Sequence, residues 1–178
     1  MPATRQLAAI MFTDIVGYTA LMQENETSAA EMRLRHRNIF QKEHHAFHGE
    51  VLQYYGDGTL SIFKSAVEAV ECAISMQQQF STGQTVPLRI GIHLGDIVYD
   101  NNDVYGDGVN IASRIESLGV PGSILISDKL HYAIRNQGSI STKSLGYFEL
   151  KNINEPLEVY TIVMNGIKVP ERSELKGK

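Results

Sequence analysis

With 178 residues, 43% hydrophobic and 20% charged side chains and 15 glycines, the chain is long enough to fold as one globular domain around a real core. Sixteen lysines and arginines are outnumbered by 20 aspartates and glutamates, and the net charge of −4, with no long basic run, argues against a nucleic-acid binder. The single cysteine, Cys72, excludes an intrachain disulfide and sits in an apolar helical pattern, as a small buried hydrophobe does, so a reducing, cytoplasmic setting is expected.

The first apolar run, residues 7–12, is too short for a signal-peptide core or a bilayer span, so any membrane or sensory attachment is expected outside this chain. Residues 7–13 instead read as a buried strand. Ser28-Ala29-Ala30-Glu31 has the form of a capping box opening a helix that runs towards Phe47 and ends at Gly49. Residues 50–55 and 59–63 then flank Gly56-Asp57-Gly58 as a hairpin. A second capping box, Ser65-Ala66-Val67-Glu68, opens a helix whose Ala66, Ala69, Val70, Ala73, Met76 and Phe80 share one face. Pro87 precedes a strand at 88–94, continued by 96–99 into a turn at Asn101-Asn102. A loop then leads into a helix at 109–118, stopped by Pro121-Gly122. Residues 123–127 read as a strand, 128–134 as a short helix, and 140–150 with 157–163 as closing strands. Residues 1–167 are expected to form the domain and 168–178 a polar, flexible tail. Strand, helix, hairpin, helix, strand is not the regular alternation of a parallel α/β sheet, and it points to α+β with a mainly antiparallel sheet flanked by helices.

Three patches carry the chemistry. In Phe12-Thr13-Asp14-Ile15-Val16-Gly17-Tyr18 and Tyr55-Gly56-Asp57-Gly58-Thr59 a carboxylate ends an apolar, β-prone run and glycine follows closely, so the last side chain can face a ligand. Two such aspartates could share divalent cations, and Mg²⁺ or Mn²⁺ held by only two carboxylates keeps positions open for phosphate oxygens. They could equally be a strand end and an ordinary Asp-Gly hairpin turn. In the third patch, Asp103-Val104-Tyr105-Gly106-Asp107-Gly108-Val109-Asn110-Ile111-Ala112-Ser113-Arg114, Asn110 and Arg114 stand four apart on one helical face, where they could meet a sugar and a phosphate together.

In order, spacing and chemistry the three patches resemble the catalytic domain of the class III nucleotide cyclases, the adenylate/guanylate cyclase family. The likeness runs from about residue 7 to about residue 162 and takes in Leu150-Lys151-Asn152-Ile153-Asn154-Glu155-Pro156. It implies a ferredoxin-like core and a homodimer with two shared sites that turns ATP into 3′,5′-cyclic AMP and pyrophosphate with two divalent cations. Asp14 and Asp57 match the metal ligands, with a backbone carbonyl from Ile15. Asn110 matches the residue that orients the ribose, Arg114 the one that meets charge on the α-phosphate, and Lys151 lies near the triphosphate lysine. Gln53, Asp103, Asn110, Arg114 and Lys151 would come from the protomer opposite the one supplying the aspartates. Catalytic domains of this family are commonly joined to regulatory modules.

Base recognition departs from the pattern. Gln53 stands four residues before Asp57, where adenylate cyclases carry lysine and guanylate cyclases usually glutamate. Asp103 matches a second adenine contact, accepting from the N6 amine, and would face the guanine oxygen acceptor to acceptor. The amide of Gln53 can satisfy either purine by flipping, so ATP is favoured with looser discrimination than lysine would give. Asp96 stands where some members carry a triphosphate arginine, and that contact is expected to be missing. The rival readings are a guanylate or mixed-specificity cyclase and a catalytically silent, cyclase-like binding or dimerisation domain. His44, His45 and His48 lack the glutamate of a zinc-protease motif and read as a solvated helix face. Gly56-x-Gly58 and Gly106-x-Gly108 each lack the third glycine of a dinucleotide fingerprint. Tyr18, Tyr54, Tyr55 and Tyr105 read as core or partner contacts.

Overall fold

Apolar residues on both faces of one strand require cover on both sides, and this sets the architecture. The strand is β1 (Thr4–Ile15) in a computed structural model that describes residues 4–100 and 103–175. The turn expected at Asn101-Asn102 lies outside the described residues. Ala9 and Met11 of β1 join a core cluster with helix residues Phe40, Ala69, Val70 and Phe80, while Ala8 and Ile10 join another with Ala112 on the opposite face.

Two helices follow, α1 (Tyr18–Glu24) and α2 (Glu26–Ala46). The hairpin β2 (Glu50–Tyr55) and β3 (Gly58–Phe63), helix α3 (Ala66–Phe80) and strand β4 (Leu88–Asp100) complete a ferredoxin-like core. Strand β5 (Asp103–Tyr105) turns back on β4 and feeds helix α4 (Asp107–Leu118). Strand β6 (Ile124–Ser127), helix α5 (Asp128–Ile134) and strands β7 (Ser141–Phe148) and β8 (Leu157–Val163) close the fold. Among the described residues the eight strands form one sheet in the order β2-β3-β1-β4-β6-β8-β7, with β5 on β4. Among these described strands only β4 and β6 pair in parallel. Helices α2 and α3 cover one face and α4 the other.

Helix α4 approaches the sheet closely because β4 has glycine beneath it. A Cβ on Gly91 would lie 2.4 Å from the Glu116 nitrogen and 2.6 Å from its Cα. The missing side chain lets the last turn of α4 rest on strand backbone, above the end of β1.

Several expectations need correction. Helix α1 was not anticipated, and α2 is capped by Asn25, whose side chain accepts from the Ser28 nitrogen at 3.1 Å, so Ser28 is the third helical residue and not the cap. Ser65 does cap α3, accepting from Glu68 N at 3.2 Å, but the Glu68 carboxylate pairs with His48 instead of closing a box. Residues 103–105 form a strand where a loop was expected, and α4 starts at Asp107, two residues before the expected start, while ending at Leu118 as expected. Residues 168–175 contact the folded body. Lys168 N donates to Gly122 O at 3.0 Å, and a 3-10 turn (Arg172–Glu174) leads to Leu175, which is 8% exposed. No helix among the described residues is long and apolar enough to cross a membrane.

Candidate active site

Asp14 keeps the side-chain parity of Ile10 and Phe12 and so faces α4. Directly across the β1–β4 pair stands Arg89. Its guanidinium grips the carboxylate with both arms, Nε donating to Oδ1 at 2.8 Å and Nη2 to Oδ2 at 2.5 Å. Nη1 donates to the Ser117 carbonyl at 3.2 Å, and Nη2 lies 3.4 Å from Glu116 Oε2, an ion pair without hydrogen-bond geometry. The second aspartate arrives on the β2–β3 turn, where Gly56 takes a φ of +56° that disfavours a side chain. Ile15 N donates to Asp57 O at 3.0 Å, tying this turn to the end of β1. The Ile15 carbonyl lies on the same side of its extended residue as that N–H.

Asp14, Asp57, Glu116 and Asn110 line one open cavity of about 440 Å³, with Phe12 and Tyr55 on its rim. Three carboxylates face one guanidinium. Burial, and then the Asp14 charge, push the Glu116 carboxyl up to about 8 against the opposing pull of Arg89. The hydrogen bond to Asp14 raises the Arg89 guanidinium further above its ordinary value. Glu116 Oε2 is buried with no hydrogen-bond partner among the described residues. Hard oxygen donors in excess of cationic partners suit a divalent cation such as Mg²⁺ or Mn²⁺. Among the described residues no three His, Cys, Asp or Glu side chains are placed to cage one ion, so an ion held here would keep positions free.

The other expected site residues lie elsewhere. Arg114 and Lys151 line a second cavity of about 470 Å³ with Phe148, Leu150 and Leu175. Asn110 and Arg114, one helical turn apart, therefore open onto different cavities. Gln53, on β2 opposite Leu60, accepts from the Tyr55 hydroxyl through Oε1. Asp103 is exposed on β5 opposite Asp100. Neither borders the two cavities. From residue 89, opposite Asp14, to residue 100, opposite Asp103, β4 runs for up to roughly 36 Å. Asp96 stands 3.6 Å from Arg5 in an exposed ion pair.

Arg89 and Glu116 escaped the sequence reading. A signal existed for each: Arg89 is a charge inside the apolar strand 88–94, and Glu116 shares the buried face of α4 with Ala112 and Ile115. The histidine reading is corrected in part. His45 and His48 are exposed, but His44 is buried, with Nδ1 2.9 Å from Phe40 O and Nε2 2.8 Å from Ser61 Oγ. Burial holds the His44 imidazole down to about 4, and pushes the Cys72 thiol far above its ordinary value. Cys72 is a core residue, as its pattern indicated.

A sequence model described as the adenylate and guanylate cyclase catalytic domain matches residues 2–164. A Rhizobium meliloti (strain 1021) protein named "Putative adenylate cyclase 3" is 39% identical over 165 residues, 88% of this chain, and the chain spans 28% of that protein's length. The crystal structure of an adenylate/guanylate cyclase/hydrolase from Silicibacter pomeroyi superposes with a TM-score of 0.83 at 34% identity, covering 92% of this chain and 100% of that one. The adenylyl cyclase CyaB from P. aeruginosa superposes with a TM-score of 0.80 at 26% identity, covering 93% and 97%.

Proposed function

This chain belongs to the adenylate and guanylate cyclase catalytic-domain family, and from that premise we propose that it converts ATP to 3′,5′-cyclic AMP and pyrophosphate at sites shared between two copies of itself. Asp14, Asp57 and the Ile15 carbonyl would hold two divalent cations, Mg²⁺ or Mn²⁺. When bound, such ions ease deprotonation of the ribose 3′-hydroxyl and neutralise the triphosphate as pyrophosphate leaves. The observation that carries the reading is the excess of carboxylates over cations at the joined ends of β1 and the β2–β3 turn.

The remaining roles fall to side chains of the opposite copy. Asn110 orients the ribose through its amide, and the planar fork of Arg114 matches charge building on the α-phosphate oxygens. Lys151, in the same cavity as Arg114, meets the triphosphate. The separation of Asp103 from Asp14 along β4 supports division of the site between two chains, because one nucleotide does not bridge that length. Within one chain, Arg89 holds both oxygens of Asp14 and keeps the carboxylate turned towards the cavity that Asp57 shares.

Base choice rests on Gln53 and Asp103. With its oxygen engaged by the Tyr55 hydroxyl, Gln53 offers its N–H donors to a ligand, which suits adenine N1. Asp103 accepts from the N6 amine. Because the tyrosyl hydroxyl can also accept, the opposite amide orientation would serve guanine, and this favours mixed specificity as the second reading.

Pyrophosphate release is to be measured with ATP and with GTP, each with Mg²⁺ and with Mn²⁺, at protein concentrations where a dimer is demonstrated. ATP turnover exceeding GTP turnover is the expected result. Comparable rates would establish the mixed-specificity reading, and no turnover under all four conditions would leave a silent, cyclase-like domain.

A further inference from the structure

Strand β7 is irregular between Ser144 and Tyr147, where Gly146 takes a φ of +94°. The bulge leaves the carbonyls of Leu145 and Tyr147 to be met from outside the sheet, and both are met by Arg172. Nη1 donates to Leu145 O at 2.7 Å and Nη2 to Tyr147 O at 2.6 Å, while the guanidinium carbon stands 4.0 Å from the Phe148 ring centroid. A Cβ at position 146 would lie 2.7 Å from Nη1, so glycine there also makes room for the arginine. The arginine is itself held. Glu171 N donates to Glu174 Oε1 at 2.9 Å, and Lys168 Nζ stands 3.5 Å from Glu174 Oε2. Leu175 then drops into the cluster of Leu118, Leu145 and Leu150.

These contacts converge on the wall of the cavity that Arg114 and Lys151 share. Lys151 rides on a short turn in which Ile153 N donates to Leu150 O at 3.1 Å and Asn152 takes a φ of +65°. Phe148, just before that turn, is stacked by Arg172, and Leu150, within it, is packed by Leu175. A lysine on an exposed turn keeps its full rotamer and backbone freedom unless the turn is anchored, and that freedom is lost on binding an anion.

We infer that Arg172 and Leu175 are positioning residues: the segment 168–175 straps the Lys151 turn against α4 and so preorganises the cavity for the phosphates of the nucleotide. The inference rests on the proposed function, in which that cavity receives the triphosphate. Two carbonyl acceptors and an aromatic face call for a planar fork, which lysine lacks.

Inorganic tripolyphosphate is the probe, with its binding to the purified chain measured by calorimetry and steady-state kinetics with ATP measured in parallel. Arg172→Ala should weaken tripolyphosphate binding about tenfold and raise KM for ATP by a similar factor, with kcat within about twofold of wild type. Arg172→Lys should behave like Arg172→Ala. Lys151→Ala should weaken the same binding directly. Should Arg172→Ala fail to fold, Leu175→Ala, which trims the cavity wall without touching the fork, carries the same expectation. Wild-type binding by Arg172→Ala while Lys151→Ala is weakened would overturn the strap alone, as would a fall in kcat at unchanged KM. Wild-type binding by Lys151→Ala would remove the phosphate cavity from the proposed function, and the strap with it.

Discussion

Mixing two inactive variants tests whether the halves of the site belong to different chains. Asp57 sits on an open turn and lines one cavity, whereas Arg114 lines another, and neither side chain belongs to the apolar core clusters. Asp57→Ala and Arg114→Ala should therefore fold as the wild type does. Asp57→Ala removes one of the carboxylates that make the β1 end attractive to a cation, and turnover should fall by several orders of magnitude. Arg114→Ala removes an oriented charge donor, a loss of about 2.7 to 4 kcal/mol or roughly a hundredfold to a thousandfold in rate. In each variant homodimer both sites are broken. In a heterodimer of the proposed arrangement the two lesions would fall in one site and the other would be wild type, because a two-fold axis would pair each chain's metal side with the other chain's phosphate side. Random pairing makes roughly half the dimers heterodimers with one working site of two, so the mixture should recover roughly a quarter of wild-type activity. The assay is pyrophosphate release across a concentration series, with exchange monitored by fluorescence transfer between labelled protomers. Demonstrated exchange with activity no higher than that of the separate variants would refute the shared site.

Three further outcomes are expected. Gln53→Lys should raise the ratio of ATP to GTP turnover, since an ammonium donates to adenine N1 but confronts the N1 hydrogen of guanine, and an unchanged ratio would mean that residue 53 does not touch the base. Gly91→Ala should destabilise the fold by about 1–3 kcal/mol or more in urea titration, because its methyl would meet Glu116 backbone at 2.4 Å and 2.6 Å and α4 would have to lift; wild-type stability would contradict the close seating of α4. Burial holds His36, His44 and His93 down to about 4 from 6.5. Between those values the unfolded chain binds protons that the folded chain refuses, so stability is lost as pH falls through that window, by up to about 1.4 kcal/mol per pH unit for each histidine. His36, whose ring stacks with Phe40 and Phe80 while Nε2 has no partner among the described residues, can be replaced by phenylalanine, and urea midpoints at pH 7, 6 and 5 should then show a slope shallower by one histidine's share. An unchanged slope would place the proton uptake elsewhere.

Local chemistry was legible where it was unambiguous. Ser65 and the apolar face from Ala66 to Phe80 announced α3, and residues 128–134 and 157–163 are a helix and a strand at their expected bounds. Where two local signals competed, the pattern misled. Ser28-x-x-Glu31 has the form of a capping box, yet Asn25 three residues earlier is the cap, because α2 begins at Glu26. Helix α1 starts from Gly17 at a φ of +77° with no side-chain cap, and so lacked the usual start signal. His44 was read from its neighbours as solvated, although His36, Phe40 and His44 recur every four residues and mark a buried stripe. Asp14 and Asp57 were readable because one lies at the end of its strand and the other on a glycine-flanked hairpin turn. Whether Arg114 and Asn110 open onto one cavity or two depends on how α4 rolls over the sheet, which Gly91 and Gly108 decide through their missing side chains.

Arg89 and Glu116 each left a local signal, but the role of each becomes visible only through a register. Arg89 opposes Asp14 because β1 and β4 pair over the whole length of β1, and a slip of one residue would send the arginine to the other face. Glu116 reaches the pair because α4 rests on Gly91, two residues along β4 from Arg89. Together they let one cavity hold three acids. Three ionised carboxylates around one half-buried guanidinium would repel one another in a poorly solvated place. Burial, and then the Asp14 charge, instead push the Glu116 carboxyl up towards its uncharged form against the pull of Arg89, which grips Asp14 with both arms. Because Arg89 supplies the opposing charge for these acids, replacing that arginine with methionine should cost stability as well as turnover, whereas Asp57→Ala should cost turnover alone.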